Sequence, residues 1–163
     1  MVLNEPHCRY FARAQAVQAV CCAVTIAAMK KPPLAAHAAC PCGSGKTYAD
    51  CCGPWHAGYL QGTPAPTPEA LMRSRYSAYV LGLIDYLLAT WHPSTSPGEL
   101  ALSPVKWLGL EVRHAQATGD AGVVEFVARY RDAGRGVRLH EISRFVREDG
   151  RWLYIDGTQQ DEV

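Results

Sequence analysis

Residues 40–56 read Cys40-Pro41-Cys42-Gly43-Ser44-Gly45-Lys46-Thr47-Tyr48-Ala49-Asp50-Cys51-Cys52-Gly53-Pro54-Trp55-His56. The cysteines are spaced C-x-C, eight residues, then C-C, with Gly43, Ser44 and Gly45 between the pairs. Glycines there let the chain reverse, so four thiolates can converge, and tetrahedral sulfur coordination is what structural zinc prefers. Cys40, Cys42, Cys51 and Cys52 are the expected ligands of one structural zinc ion. Adjacent side chains usually diverge, which leaves His56, on the next turn, as an alternative fourth ligand. Buried free thiols are common singly, but four so close together beside turn glycines are not. A redox pair fits less well, because neither C-x-C nor C-C has the C-x-x-C spacing. Gly43 to Thr47 imitates the end of a phosphate loop. The first glycine of that pattern would fall on Cys40, however, and no apolar strand precedes it.

Moving toward the N-terminus, all seven cysteines lie before residue 53. An odd number clustered at one end does not suit a disulfide scaffold and points to a reducing compartment, the cytoplasm. Residues 1–39 are expected to be a leader outside the fold. Arg9 and Arg13 followed by the apolar run 16–28 imitate a signal peptide, but Lys30, Lys31, Pro32 and Pro33 come directly after. The run is also too short for a membrane anchor, which needs roughly 20 residues. Translation is expected to begin at Met29, which leaves Cys8, Cys21 and Cys22 without a role. The zinc module is assigned to 40–58.

Toward the C-terminus, Thr67-Pro68-Glu69 has the chemistry of a helix start: an N-cap, a proline in the first turn and an acidic side chain at the positive end of the dipole. Met72, Tyr76, Tyr79, Val80, Leu83, Ile84, Leu87 and Leu88 recur at helical spacing, with Gly82 as a break. Pro93 and Pro97-Gly98 close the helical region. Extended segments follow at 106–117, 121–132, 137–148 and 151–156, separated by Gly119-Asp120, Asp132-Ala133-Gly134 and Asp149-Gly150. Helices followed by an antiparallel meander predict an α+β domain over 65–158. Along the second segment Val124, Phe126, Ala128 and Tyr130 share one face, opposite Glu125, Arg129 and Arg131 with Val123 and Val127. Along the third, His140, Ile142 and Arg144 oppose Leu139, Glu141, Ser143 and Phe145, so His140 and Glu141 cannot both point inward.

The cysteine stretch resembles the SEC-C zinc motif, known at the C-terminus of the bacterial preprotein translocase motor ATPase and at the N-terminus of the YchJ family. The tail resembles the YchJ pattern: Leu71-Met-Arg-Ser-Arg-Tyr-Ser-Ala-Tyr79, Thr90-Trp-His-Pro93, His140-Glu-Ile-Ser-Arg-Phe145 and Gly150-Arg-Trp-Leu-Tyr-Ile-Asp-Gly157. The resemblance implies a bacterial metal-binding protein of uncharacterised role. Its second domain would be like nuclear transport factor 2 (cystatin-like), with helices closing a curved antiparallel sheet into a cone. Arg73, Arg75, Tyr79, Trp91, His92, His140, Arg144 and Asp156 are the candidates for lining that cone. A formal net charge of +1 gives no electrostatic case for nucleic acid, and no membrane segment is expected. The favoured reading is a zinc-dependent adaptor for a protein partner rather than an enzyme. Its alternative is a small-molecule binding protein or a lyase- or isomerase-type enzyme using the cone. Homodimerisation through the outer face of the sheet is expected by analogy with the fold.

Overall fold

The computed structural model describes residues 34–160. The Met29 start, the leader up to residue 33 and Cys8, Cys21 and Cys22 lie outside them. Helix α1 spans Gly53–Gly58 and runs into a 3-10 turn at Tyr59–Gln61. Helix α2 covers Pro68–Leu81 and α3 Ile84–Ala89. Strands β1 (Lys106–Thr118), β2 (Ala121–Asp132), β3 (Arg135–Glu148) and β4 (Arg151–Gln159) form one antiparallel sheet in the order β1-β2-β3-β4. Among the described residues no helix is long and apolar enough to cross a membrane.

The local chemistry accounts for these boundaries. Thr67 accepts a hydrogen bond from the Ala70 amide, and Gly82, in the left-handed region at φ 78°, ends α2. Ala133-Gly134 and Asp149-Gly150 have positive φ at both positions, as two-residue hairpin turns of the right twist require. Strand β3 begins two residues earlier than the sequence suggests, because Arg135 pairs with Asp132 across the tight turn, and β4 extends three residues further. Register shifts at Trp107/Gly109, Val112/His114 and Arg144/Phe145 bend the sheet. The α+β architecture of helices on a four-stranded antiparallel sheet is therefore the one the sequence implies.

Helix α2 is the spine. The ring of Pro68 sits where a side chain on Gly122 would be, its Cγ 2.6 Å from that Cβ position, so the first turn of α2 lies directly on β2. Leu71, Met72 and Tyr76 are buried with Val124, Phe126, Ala128, Phe145 and Trp152 in one core. Cys40, Cys42 and Cys52 belong to the same core, so the N-terminal module and the sheet share it. The opposite face of the sheet carries the pairs His140–Glu125, Arg129–Glu111 and Arg144–Asp156.

Candidate metal centre and cone cavity

Two turns bring the cysteines together. Gly43 and Gly45 both adopt positive φ, and the Cys40 amide donates to the Lys46 carbonyl at 2.9 Å, closing the loop between the pairs. Ala39 bridges Thr47, and the carbonyls of Ala36 and Ala38 accept from the amides of Ala49 and Tyr48. Residues 36–39, expected in the leader, are thus folded into the module. At its far end the Tyr48 carbonyl accepts from both Cys51 and Gly53, and a Cβ on Gly53 would lie 2.7 Å from that oxygen. Cys52 is helical (φ −81°, ψ −23°). Neighbouring side chains on a helical turn are only about 100° apart, so the adjacent Sγ atoms of Cys51 and Cys52 lie within 3.9 Å of each other.

All four Sγ atoms lie within 4.8 Å of one another, with Cys42 and Cys51 3.5 Å apart. A tetrahedral ion with bonds of about 2.3 Å would place its sulfurs ~3.8 Å apart, so this donor set fits one metal ion. Cys42 and Cys52 are fully buried and Cys40 nearly so. Polar hydrogens surround the sulfurs: Ser77 Oγ donates to Cys52 Sγ at 3.4 Å and lies 3.7 Å from Cys40 Sγ, while Ser44 Oγ lies 3.1 Å from Cys51 Sγ. A hydrogen bond from Cys52 pulls the Cys42 thiol down to about 4 against the opposing effect of burial. The same bond, with burial, pushes Cys52 far up, and burial is the main cause raising Cys51. Several thiolates cannot share so small a volume without a cation between them.

His56 is occupied elsewhere. Its Nε2–H donates to the Ser74 carbonyl at 2.8 Å, so Nδ1 is the acceptor of the Tyr48 hydroxyl at 2.7 Å. Burial lowers the imidazole pKa and favours this neutral form. Burial, with the charges of Cys52 and Cys40, pushes the Tyr48 phenol up to about 12, so it keeps the proton it donates. Both ring nitrogens tie the module to itself and to α2. Arg73 does the same from the helix: Nη1 donates to the Cys42 carbonyl at 3.2 Å and Nε to Glu69 at 2.8 Å.

Between α2, the 100–105 segment and the inner face of the sheet lies a cavity of about 360 Å³. Of the cone candidates, the structure places Arg75 and Tyr79 in its wall. The others are elsewhere. Arg73 faces the cysteine module. Trp91 lies behind Arg75, beside the Tyr154 ring. His92 bonds Ser94 and Glu148. His140, Arg144 and Asp156 occupy the outer face, where His140 Nε2 meets Glu125 at 2.8 Å and Arg144 chelates Asp156 through two bonds. The inward parity of β3 belongs to Leu139, Glu141 and Ser143, and only contact with α2 decides which parity that is. Glu141, Ser143 and Tyr154, with Ser103 and Asp132, are polar wall residues outside the sequence candidates. Ser74 and Ser77 are also absent from them, although two small polar residues three apart inside an apolar helix are a readable sign of a second packed face.

Residues 67–157 match the family described as "YchJ, middle NTF2-like domain", and residues 38–54 match the SEC-C motif. A UPF0225 protein of Bordetella parapertussis is 59% identical over 134 residues, covering 79% of this chain and 98% of that protein. One from Chromobacterium violaceum is 58% identical over 131 residues, covering 75% and 93%. The solution structure of a SEC-C motif containing protein from Rhodopseudomonas palustris is similar at TM-score 0.64 and 39% identity, covering 75% of this chain and 98% of that one. A crystal structure of another, from Psychrobacter arcticus, is similar at TM-score 0.63 and 31% identity, covering 76% and 84%. With its cysteine cluster in the SEC-C motif and its helices and sheet in the middle domain, the chain belongs to the YchJ family of UPF0225 proteins.

Proposed function

We propose that Cys40, Cys42, Cys51 and Cys52 hold one zinc ion in a closed structural site, and that this ion clamps the N-terminal segment onto α2. The observation that carries the reading is the Ser77 hydroxyl, which reaches two of the four sulfurs from the centre of α2. With four thiolates as ligands the ion has no open position for substrate, so it contributes folding free energy rather than Lewis acidity. Cys52 is the fourth ligand in this reading, since both nitrogens of His56 are committed. Zinc content measured on purified variants tests it. Cys52→Ser should lose the metal or exchange it far faster, while His56→Ala should retain one zinc per chain at lower thermal stability. The reverse pattern would sink the closed site.

Beyond the metal, two roles compete in a cytoplasmic setting. Docking to a protein partner is supported by Leu60, 81% exposed beside the module. Leu60 borders a groove of about 790 Å³ lined with Tyr59, Val80, Leu83 and Ile84, but that groove brings together no buried charged side chain such as Arg75. Small-molecule binding is supported by the cone cavity, which falls in the usual size range for ligand sites and combines aromatic walls with a few convergent polar groups. The cavity is the stronger observation, and we place the working end of the protein there.

A further inference from the structure

Arg75 and Glu141, opposite in charge, both line the cavity and form no ion pair with each other, while the third charged wall residue, Asp132, is exposed. Arg75 is only 3% exposed. Its Nη1 donates to the Leu87 carbonyl at 2.7 Å and to Thr90 Oγ1 at 2.8 Å, and its guanidinium carbon lies 4.5 Å from the Tyr154 ring centroid and 5.1 Å from that of Trp91. Its Nε and Nη2 donors meet no acceptor among the described residues, and they are not sealed away from the cavity. Glu141 uses Oε1 to accept from Ser143 at 2.6 Å and from the Tyr154 hydroxyl at 3.5 Å. Among the described residues its Oε2 has no hydrogen-bond partner, and it is not sealed from solvent. Gly157 makes the room: a Cβ there would lie 2.0 Å from Glu141 Oε1. Tyr154 stands between the charges, its ring under Arg75 and its hydroxyl on Glu141. Above them the wall is aromatic, with Trp107 in contact with Tyr76, Tyr79 and Tyr130 at centroid separations of 5.1 to 5.9 Å.

A buried charge is tolerated when it is paired. Here each charge keeps part of its hydrogen-bonding capacity free, and the two are spaced rather than joined. An anion on Arg75 alone would face the Glu141 carboxylate, and a cation on Glu141 alone would face the guanidinium. A purely apolar guest would strip water from both and replace nothing. A zwitterion satisfies both. We propose that the cone binds a free α-amino acid with an aromatic side chain, its carboxylate on Arg75 Nε and Nη2, its ammonium on Glu141 Oε2, and its ring against Trp107 and Tyr79. This rests on the reading of the cavity as a small-molecule site and names the chemical class that site takes.

The test is a titration of the zinc-loaded full chain, followed by backbone amide NMR, with four probes: L-phenylalanine, 3-phenylpropionate, phenethylamine and indole. The proposal expects L-phenylalanine to shift the amides of Glu141, Ser143 and Tyr154 saturably. It expects either half-ligand to bind about tenfold or more weakly, as loss of one charge-assisted hydrogen bond requires. Glu141→Gln keeps the shape and should weaken L-phenylalanine to the same degree without weakening 3-phenylpropionate. If 3-phenylpropionate, phenethylamine or indole binds as well as L-phenylalanine, or Glu141→Gln leaves L-phenylalanine unaffected, the zwitterion assignment is overturned while the cavity reading stands. If none of the four probes shifts the cavity amides, both fall.

Discussion

Ser77 is one hydroxyl on the middle of a helix, and it reaches Cys40 and Cys52, one from each end of the cysteine stretch. Groups that hydrogen-bond metal ligands tune affinity strongly, so Ser77→Ala should weaken zinc binding about 10- to 100-fold, measured by competition with a chromophoric chelator, while the chain stays folded. Arg144→Ala, at an exposed pair on the far face of the sheet, should leave the same competition curve unchanged. Gly157 gives a second test at this scale. Gly157→Ala forces a methyl into the Glu141 carboxylate and should cost about 1–3 kcal/mol in urea denaturation. Adding Glu141→Ala should recover most of that loss, a coupling expected only of residues in contact. Neither residue is prominent in the sequence, because alternation along β3 fixes which residues share a face and not which face is inward. His140 and Arg144 attract notice as titratable groups, yet each pairs with an acid on the outer face, His140 with Glu125 and Arg144 with Asp156. Glu141, one position away, holds the cavity.

Helix α2 has two packed sides, and the sequence displays one of them. Met72, Tyr76 and Tyr79 recur at helical spacing and read at once as a buried stripe facing the sheet. Ser74 and Ser77 are not among the expected core positions and Arg73 is expected in the cone, yet all three receive the cysteine module. Polarity misleads here because every one of these groups finds a partner: Ser74 Oγ donates to the Leu71 carbonyl and meets Tyr86 OH at 2.7 Å. The ends of the helix were legible, since a threonine before proline and a glycine after the last turn act locally. Thr67→Ala removes the cap on the Ala70 amide and should cost about 1 kcal/mol by thermal denaturation. The hairpins were legible for the same reason, through Asp149-Gly150 and the glycine after Ala133. The convergence of Cys51 and Cys52 was expected from the spacing but its basis was not legible, because it depends on Cys52 already being in a helical turn, which the Tyr48 carbonyl and Gly53 impose.

Across the whole molecule, the cysteine cluster and the sheet share one core, with Cys40, Cys42 and Cys52 buried alongside Leu71, Phe126 and Trp152. Stripping the metal should therefore lower the melting temperature of the entire fold in one cooperative transition, rather than melt a detachable finger first; calorimetry with and without a strong chelator reads the difference. The pH dependence has a definite sign. With an ion bound to the four sulfurs as thiolates, protons would compete with it for them, so the metal-linked stability should be present at neutral pH and lost as pH falls. A family pattern carried in the cysteine spacing and in the tail made the α+β fold legible before any coordinates. The contents of the cone were not, since they depend on which side of each strand α2 covers. Native mass spectrometry of the full chain, read against the same sample denatured in acid, tests the central claim most directly. One zinc per folded chain, lost on denaturation, is the result the four-thiolate site predicts, and a folded chain carrying no metal would contradict it.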